Sequence, residues 1–409
     1  MKKLLLLSVP ICLIIFSCNK KNDETTTAEE QLAPVAKIDM NAVQQTIKGF
    51  GGATVFRPDL TDADVSTLFG NASNQLGLSI LRIRVNPYGD TQWATELSNA
   101  KRAKAQGALI MATPWSPPAS MKTNNNTTGG RLSTSSYADY AAYLKSFADY
   151  MSTNGAGLYA LSIQNEPDFQ VGYESCDYYA QEMINFIRNN TFDWGNTKLM
   201  APESFQFRLP FSDSILNDAA AAAKVGIIGG HIYGGGLKKY DNAISKGKEV
   251  WMTEHLDTLT TWTAVMATAK EIHDCMAVAN YNAYLWWYVK RFYGPIDEGG
   301  QITKRGYVMA QFSKYIRQGY QRIDATSPFT DVYISAYKGS GKVVIVAVNM
   351  ANTEKRIRMY LPGTAAPASF TPHITSATKN LTSETTVTVS DNGFFYNLPA
   401  SSVVTFVSN

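Results

Sequence analysis

Eight apolar, strand-like segments recur along the chain, and most of the stretches between them have helical periodicity. The clearest predicted helix covers residues 136–151, where Tyr137, Tyr140 and Leu144 share an apolar face behind Ser136 as the cap. Strands that alternate with helices form parallel sheets, and eight such units close into a (β/α)8 TIM barrel. The fold class is therefore α/β, with predicted strands at residues 47–55, 80–85, 108–113, 159–164, 198–202, 225–230, 249–253 and 283–287.

The last part of the chain has a different pattern, in which short alternating strands are separated by turn residues. Residues 332–337 and 343–348 flank a Gly-Ser-Gly turn, and residues 386–389 and 394–396 flank Asp391-Asn-Gly393, a typical hairpin sequence. These features predict a small antiparallel β-sandwich associated with the side of the barrel. The predicted organisation is an N-terminal strand at residues 35–46 that joins the sandwich, the catalytic barrel at residues 47–322 and the sandwich at residues 323–409.

The start of the chain predicts export. Met1-Lys-Lys precedes an apolar run at residues 4–16 that is short for a membrane span, and Ile15-Phe-Ser-Cys18 resembles a bacterial lipobox. We therefore expect a lipoprotein signal peptide at residues 1–17, acylation of Cys18 and a flexible tether at residues 18–34, with a plain signal peptide as the alternative. The expected location is a bacterial membrane, on the periplasmic side or at the cell surface.

Composition argues against a nucleic-acid partner. The formal net charge is +3, and two of these charges are Lys2 and Lys3 in the predicted leader. The 7 Trp and 22 Tyr residues exceed what core filling requires, and aromatic rings stack on the C–H faces of sugars. These counts favour a carbohydrate cleft, and because no exposed apolar face is evident we expect a monomer.

Metal and cofactor chemistry are not expected. The 4 histidines lack the spacing of metal ligands, and the glycine-rich segments lack the spacing of phosphate or dinucleotide loops. Cys12 belongs to the predicted leader and Cys18 is the predicted lipidation site. Cys176 and Cys275 therefore remain as either one disulfide or two buried thiols.

Two glutamates come directly after predicted strands, Glu166 in Leu161-Ser-Ile-Gln-Asn-Glu166 and Glu254 in Val250-Trp-Met-Thr-Glu254. Residues at the carboxyl ends of barrel strands meet at one rim, where the catalytic groups of such barrels lie. Glycosidic cleavage needs one carboxyl group to protonate the leaving oxygen and a second to attack or stabilise the sugar centre. The alternative is that both are ordinary acids at strand ends. Other candidate rim residues are Asn86, Trp115, Glu203, His231, Tyr233 and Trp287.

Seven segments, in the same order across nearly the whole chain after the leader, resemble the signatures of glycoside hydrolase family 30. They are Gln45-Thr-Ile-Lys-Gly-Phe-Gly-Gly52, Leu81-Arg-Ile-Arg84, Thr113-Pro-Trp-Ser-Pro-Pro-Ala-Ser-Met-Lys122, Ser162-Ile-Gln-Asn-Glu-Pro167, Gly230-His-Ile-Tyr-Gly234, Val250-Trp-Met-Thr-Glu254 and Ala283-Tyr-Leu-Trp-Trp-Tyr288. The resemblance implies a (β/α)8 barrel with a side β-sandwich. It also implies a retaining mechanism in which Glu166 is the general acid/base and Glu254 is the nucleophile.

The same resemblance implies the substrate-binding residues. Asn165 would hydrogen-bond the 2-hydroxyl of the sugar at the cleavage site. Trp115 and Trp287 would form the walls of that subsite, and Tyr288 would contact the substrate beside them. His231 and Tyr233 would position the nucleophile and the substrate.

The loop after the eighth barrel strand, Trp287-Tyr-Val-Lys-Arg-Phe-Tyr293, is similar to that of bacterial glucuronoxylanases of subfamily 8. The similarity implies an endo-β-1,4-xylanase directed by the (4-O-methyl)glucuronate branches of xylan, with Arg291 and Tyr293 holding the uronate. A guanidinium can grip a carboxylate through two parallel hydrogen bonds. The alternative is that Arg291 is a solvated loop residue paired with Asp297 or Glu298.

Two segments depart from the subfamily pattern. The residues after Glu254 lack the usual aromatic residue and serine, and Thr258 lies one position short of the serine. The segment at residues 49–57 lacks the Trp that would serve a distal subsite, and Phe56 is its candidate substitute. Arg57, in the same segment, is either a second positive group or a solvated loop residue. Other readings are therefore a family member acting on unbranched xylan or β-1,6-glucan, and a non-catalytic surface glycan-binding lipoprotein.

Overall fold

The computed structural model describes residues 1, 33–57, 59–191, 193–363 and 366–409. The predicted signal peptide after Met1, the predicted acylation site Cys18 and the predicted tether up to residue 32 lie outside the described residues. Residues Pro34–Asn409 form one unit. Within the described ranges, none of the helices combines the length and the apolar character needed to cross a bilayer.

The predicted barrel is confirmed. After a first strand, β1 (Val35–Thr46), eight parallel strands close on themselves in chain order, because the last barrel strand pairs with the first. Their bounds agree with the predicted strands to within a few residues. They are β2 (Gly49–Ala53), β3 (Ile80–Val85), β4 (Leu109–Pro114), β5 (Ala160–Ser162), β6 (Lys198–Ser204), β7 (Val225–His231), β8 (Glu249–Glu254) and β9 (Ala283–Tyr288).

Helices fill most of the connections between these strands. The predicted helix at residues 136–151 is present and buries the expected apolar face, but Ser136 ends a short 3-10 turn and its side chain caps nothing. The helices are α1 (Asp62–Phe69), α2 (Ala94–Ala105), α3 (Tyr137–Thr153), α4 (Ala180–Asn189), α5 (Leu209–Asn217), α6 (Ala219–Lys224), α7 (Asp241–Ser245), α8 (Trp262–His273) and α9 (Lys304–Ser313). Shorter 3-10 turns at Asp90–Gln92, Ala119–Met121 and Thr134–Ser136, and a π-helical turn at Asp274–Val278, complete the set.

The barrel interior is a packed core near the starts of the strands. Its side chains include Ile80, Met111, Ile227 and Trp251, all fully buried. Close strand pairing depends on Gly51 in β2, because a Cβ there would lie 2.0 Å from the carbonyl oxygen of Ile80. The apolar plug closes one end of the barrel and leaves the carboxyl ends of the strands for polar side chains.

The second sheet contains β1 together with the strands that follow the barrel. They are β10 (Gln321–Ala325), β11 (Val332–Gly339), β12 (Lys342–Asn349), β13 (Lys355–Tyr360), β14 (Ser369–Ser376), β15 (Thr382–Ser383), β16 (Val387–Thr388), β17 (Gly393–Leu398) and β18 (Ser402–Ser408). Their order is β15-β14-β18-β12-β11-β10-β1-β13-β17, with β16 also on β14. All pairs are antiparallel except β1 with β13, so the strand before the barrel joins the two halves of this sheet.

The hairpin predicted around Asp391-Asn-Gly393 is wrong in its pairing. The tight turn forms, with positive φ at Asp391 (50°) and Asn392 (58°) and mutual backbone hydrogen bonds between Ser390 and Gly393. However, β16 pairs with β14 and β17 pairs with β13. The residues of the turn therefore determine where the chain bends, whereas packing in the sandwich core determines which strands pair.

Helices α8 and α9 pack between the barrel and the sandwich. The Gln311 side chain donates a hydrogen bond to Thr375 Oγ1 at 2.8 Å, and the Trp262 indole donates to the carbonyl of Ser401 at 3.0 Å. Cys176 and Cys275 are buried free thiols, so of the two alternatives the structure has the unpaired one. Burial raises the pKa of Cys176 to about 12, which keeps the thiol protonated and unreactive.

Candidate active site

Glu166 follows β5 in a strained backbone conformation. Its φ is +46°, a region that residues other than glycine rarely adopt. Its N–H donates to the carbonyl of Glu203 at 3.0 Å, and its Oε1 lies 2.7 Å from Nδ1 of His231. Burial and the negative charge of Glu254 raise the pKa of Glu166, and the contact with His231 opposes part of that rise. Glu166 is thus held so that its protonated form is favoured.

Glu254 is the last residue of β8, and its carboxylate pairs with an arginine. Its Oε2 accepts from Arg82 Nη1 at 2.5 Å, and its Oε1 accepts from the Tyr233 hydroxyl at 2.9 Å. One oxygen of Glu254 and one of Glu166 lie within 4.8 Å of each other. The two predicted carboxyl groups therefore meet at the rim, Glu166 beside His231 and Glu254 beside Arg82.

Arg82 and Glu203 organise the site, and neither was assigned a role from the sequence. Arg82 is fully buried in β3, and its Nη2 lies 2.8 Å from Glu203 Oε1 and 2.6 Å from Asn165 Oδ1. Burial alone would raise the pKa of Glu203, but the charge of Arg82 and the contact with His231 outweigh it and lower that pKa. A signal existed, because an arginine in a strand of mostly apolar residues is rarely buried unless it is paired.

His231, which was expected to position the nucleophile and the substrate, lies at the end of β7. It is fully buried below the cleft and lies closer to Glu166 (2.7 Å) than to Glu254 (3.8 Å). Burial would lower its pKa, but Glu254, Glu166 and Glu203 together raise the pKa of His231 to about 9. His231 therefore favours its cationic form at neutral pH, and its charged contacts are with Glu166, Glu203 and Glu254.

The buried polar layer is balanced in charge. Arg82 and His231 supply two positive charges, which match the carboxylates of Glu203 and Glu254 when Glu166 is protonated. The potential ligand atoms of Glu166, His231 and Glu254 lie within 4.8 Å of one another, the spacing of a metal site. However, Glu254 is already paired with Arg82 and Glu166 with His231, so all three residues have partners within the protein.

A cleft of about 510 Å³ opens above the two glutamates. Trp115 and Trp287 lie side by side in its wall, with ring centroids 5.8 Å apart, and Tyr288 packs against Trp287 at 4.5 Å. Phe56 contacts the edge of the Trp115 ring and is about half exposed. The cleft is lined by Phe56, Trp115, Asn165, Glu166, Tyr173, Glu174, Phe205, Tyr233, Glu254, Leu256, Trp287 and Tyr288.

The structure thus brings together Glu166, Glu254, Asn165 and four of the predicted aromatic residues. Sequence reasoning missed Tyr173 and Glu174, which reach the cleft from the long segment after β5. Their loop carries no periodic signal that would single them out. Asn86 does not line the cleft, because its side chain accepts from the N–H of Tyr88 in a local turn.

Arg291 and Tyr293 lie beside the cleft but do not line it. Arg291 Nη1 is 3.2 Å from Glu298 Oε1, and both side chains are partly exposed. Tyr293 is buried, and its carbonyl accepts from Arg305 Nη1 at 2.7 Å. The ion pair anticipated as the alternative for Arg291 is therefore present in this structure.

Two buried carboxyl groups across the mouth of a closed (β/α)8 barrel, in a cleft walled by aromatic rings, define a glycoside hydrolase. Comparison with known proteins narrows the class. Residues 78–252 match the model of the glycosyl hydrolase family 30 TIM-barrel domain. Glucuronoxylanase XynC of Bacillus subtilis (strain 168) is 43% identical over 389 residues, covering 91% of this chain and 91% of the relative. The chain belongs to glycoside hydrolase family 30, as the seven segments indicated.

Solved structures give the same result. A glycoside hydrolase family 30 subfamily 8 xylanase, Xyn30A from Clostridium acetobutylicum, is 43% identical with a TM-score of 0.88, covering 92% of this chain and 99% of that one. A family 30 endoxylanase from Clostridium papyrosolvens C71 is 38% identical with a TM-score of 0.85, covering 92% and 100%.

Proposed function

We propose that this protein is a retaining endo-β-1,4-xylanase that hydrolyses glucuronoxylan and is directed by (4-O-methyl)glucuronate branches. The observation that carries the reaction type is the separation of at most 4.8 Å between the nearest oxygens of Glu166 and Glu254. Retaining glycosidases have carboxyl groups about 5–5.5 Å apart, whereas inverting enzymes leave about 6.5–9.5 Å for a water molecule. The xylan substrate is inferred from the relatives at 43% and 38% identity.

In the first step, Glu166 protonates the departing xylosyl oxygen while Glu254 attacks the anomeric carbon and forms a glycosyl ester. Arg82 and Tyr233 hold the attacking carboxylate in place. The negative charge of Glu254 is one of the causes of the raised pKa of Glu166, and formation of the ester removes that charge. The pKa of Glu166 therefore falls at this stage, and its carboxylate can take a proton from the water that releases the product.

Asn165 and the tryptophans complete the proposed subsite. Arg82 holds Asn165 by its oxygen at 2.6 Å, which leaves the amide group beside both glutamates to meet the 2-hydroxyl of the sugar. Trp115, Trp287 and Tyr288 offer ring faces and edges to the apolar side of the xylose units.

We propose that Arg291 and Tyr293 bind the uronate branch and so produce the preference for branched xylan. A uronate carboxylate would replace Glu298 as the partner of Arg291, an exchange that costs little because exposed ion pairs contribute only about 0–1 kcal/mol. We expect Arg291→Ala to lower kcat/KM on glucuronoxylan roughly tenfold or more, since hydrogen bonds to charged groups are worth about 1.5–3 kcal/mol. The rate on debranched xylan should change less than about twofold.

Arg188→Ala is the matched control. Arg188 makes an ion pair of the same length, 3.2 Å to Asp218, with a half-exposed side chain on α4. The Arg188→Ala variant should keep the wild-type kcat/KM on both glucuronoxylan and debranched xylan. Equal losses on both polymers for Arg291→Ala, or no loss on either, would contradict a uronate contact and leave unbranched xylan or a β-1,6-glucan as the substrate.

We also propose that the enzyme is exported and anchored by a lipid on Cys18, working as a monomer at a bacterial membrane. This rests on the lipobox-like Ile15-Phe-Ser-Cys18 alone. Mass spectrometry of the protein purified from membranes should find an acylated N-terminal Cys18, and Cys18→Ala should move the protein to the soluble fraction. An unmodified N-terminus elsewhere in the chain would support a plain signal peptide.

A further inference from the structure

A second arginine, Arg57, lies beside Tyr288. Its guanidinium carbon is 5.5 Å from the centroid of the Tyr288 ring, close enough for a cation–π contact. Tyr288 itself lines the cleft. Arg57 therefore places its charge next to a ring that lines the cleft.

Arg57 and Arg291 reach the same pair of tyrosines. Burial raises the pKa values of Tyr288 and Tyr293, and the positive charges of both Arg57 and Arg291 oppose the rise at each hydroxyl. A small cavity of about 180 Å³ beside the cleft is lined by Arg57 and by Glu298, the partner of Arg291. Two guanidinium groups and two phenols thus surround one corner of the cleft.

The other charged groups near Arg57 have partners within the protein. Asp59, in the same cavity, lies 4.0 Å from Arg102, and Lys290 pairs with Asp64 at 2.7 Å. Glu298 pairs with Arg291. Among the residues that the structure describes, Arg57 makes no ion pair, so its guanidinium can accept an anionic partner from outside the protein.

We propose that Arg57 and Arg291 together bind one carboxylate of the substrate, with Tyr288 and Tyr293 as hydroxyl donors between them. This rests on the proposed function and deepens it, because it assigns a second, specificity-determining arginine to branch recognition. Arg57 lies two residues before Asp59 in the segment that lacks the expected tryptophan. The chain therefore supplies charge where an apolar ring was expected, and an arginine meets a uronate carboxylate through paired hydrogen bonds.

The test compares kcat/KM on native glucuronoxylan and on the same polymer with its uronate carboxyls reduced to alcohols. We expect Arg57→Ala to lose roughly tenfold on the native polymer and less than about twofold on the reduced one, because only the carboxylate contact is removed. Arg57→Lys should recover only part of the loss, since an ammonium cannot make the paired contact. Arg188→Ala should change neither rate.

The double variant Arg57→Ala/Arg291→Ala tests whether both arginines hold the same group. If they do, its loss on native polymer is smaller than the product of the two single losses, because the residues are coupled. Losses that multiply independently, or an Arg57→Ala rate equal to wild type while Arg291→Ala loses selectivity, would overturn this inference and leave the proposed function standing. If wild type cuts native and reduced polymers equally well, branch recognition itself fails.

Discussion

Glu254→Gln is expected to lower kcat on glucuronoxylan by at least roughly 10³-fold, since a neutral amide cannot form the glycosyl ester. The same change should lower the pKa of Glu166, because the negative charge of Glu254 is one of the groups that raise it. Wild-type kcat/KM should therefore fall as pH rises through the raised pKa of Glu166, the acid that must start protonated. Initial rates against pH, with infrared titration of the Glu166 carboxyl in both proteins, measure the two effects.

Glu249→Gln is the matched control. Glu249 begins the same strand, β8, and its carboxylate pairs with Lys48 at 3.3 Å at the other end of the barrel. The same neutralisation there should leave the rate per folded molecule and the pKa of Glu166 unchanged. Hydrolysis by Glu254→Gln at the wild-type rate would remove Glu254 from the mechanism and revive the reading of a glycan-binding protein.

Azide separates the roles of the two glutamates. In Glu254→Ala the vacated space admits the small anion, which attacks from the side of the lost nucleophile and gives an α-glycosyl azide. In Glu166→Ala an aryl xyloside, whose phenolate leaves without a proton, still forms the ester on Glu254, and azide displaces it to give a β-glycosyl azide. The opposite pairing of variant and product would exchange the roles assigned to Glu166 and Glu254.

Arg82→Met is expected to have the largest effect on stability. The substitution leaves Glu203 and Glu254 buried without their cation, and breaking a buried ion pair costs about 3–5 kcal/mol of unfolding free energy. Without Arg82, the pKa of Glu203 rises, because the charge of Arg82 is the largest of the causes that lower it against the effect of burial. The stability deficit should therefore shrink as the solution is acidified and grow as pH rises through that folded pKa. Urea unfolding across the pH range measures it.

Arg305→Met provides the comparison. Arg305 is buried as well, but it donates to neutral oxygens, among them Thr268 Oγ1 at 3.1 Å and the Leu259 carbonyl at 2.8 Å. Its loss should destabilise the fold without recovery at acid pH. An Arg82→Met protein whose deficit is independent of pH would contradict the ionic account of the buried layer.

The barrel could be predicted because each strand and helix has its own period, which the sequence carries locally. Strand partners in the sandwich could not, since the pairing of β16 and β17 depends on packing between residues far apart in the chain. The turn at Asp391-Asn-Gly393 illustrates the limit, because its residues specify the bend and not what the flanking strands contact.

The active site, like the fold, could be predicted only in part from the sequence. Glu166 and Glu254 could be found because each follows an apolar strand. Arg82 could be suspected from its apolar surroundings, but its three partners come from three other strand ends that only the closed barrel brings together. The partner of Arg291 depends on the course of its loop, and both alternatives were compatible with the sequence.

Product analysis of glucuronoxylan digests tests the central claim most directly. NMR of the first products should find the β-anomer before mutarotation. Mass spectrometry should find oligosaccharides that each carry one uronate at a fixed position from the reducing end, while debranched xylan and β-1,6-glucan yield little. An initial α-anomer would contradict the retaining mechanism of Glu166 and Glu254. Equal cleavage of debranched xylan would contradict the recognition of the branch.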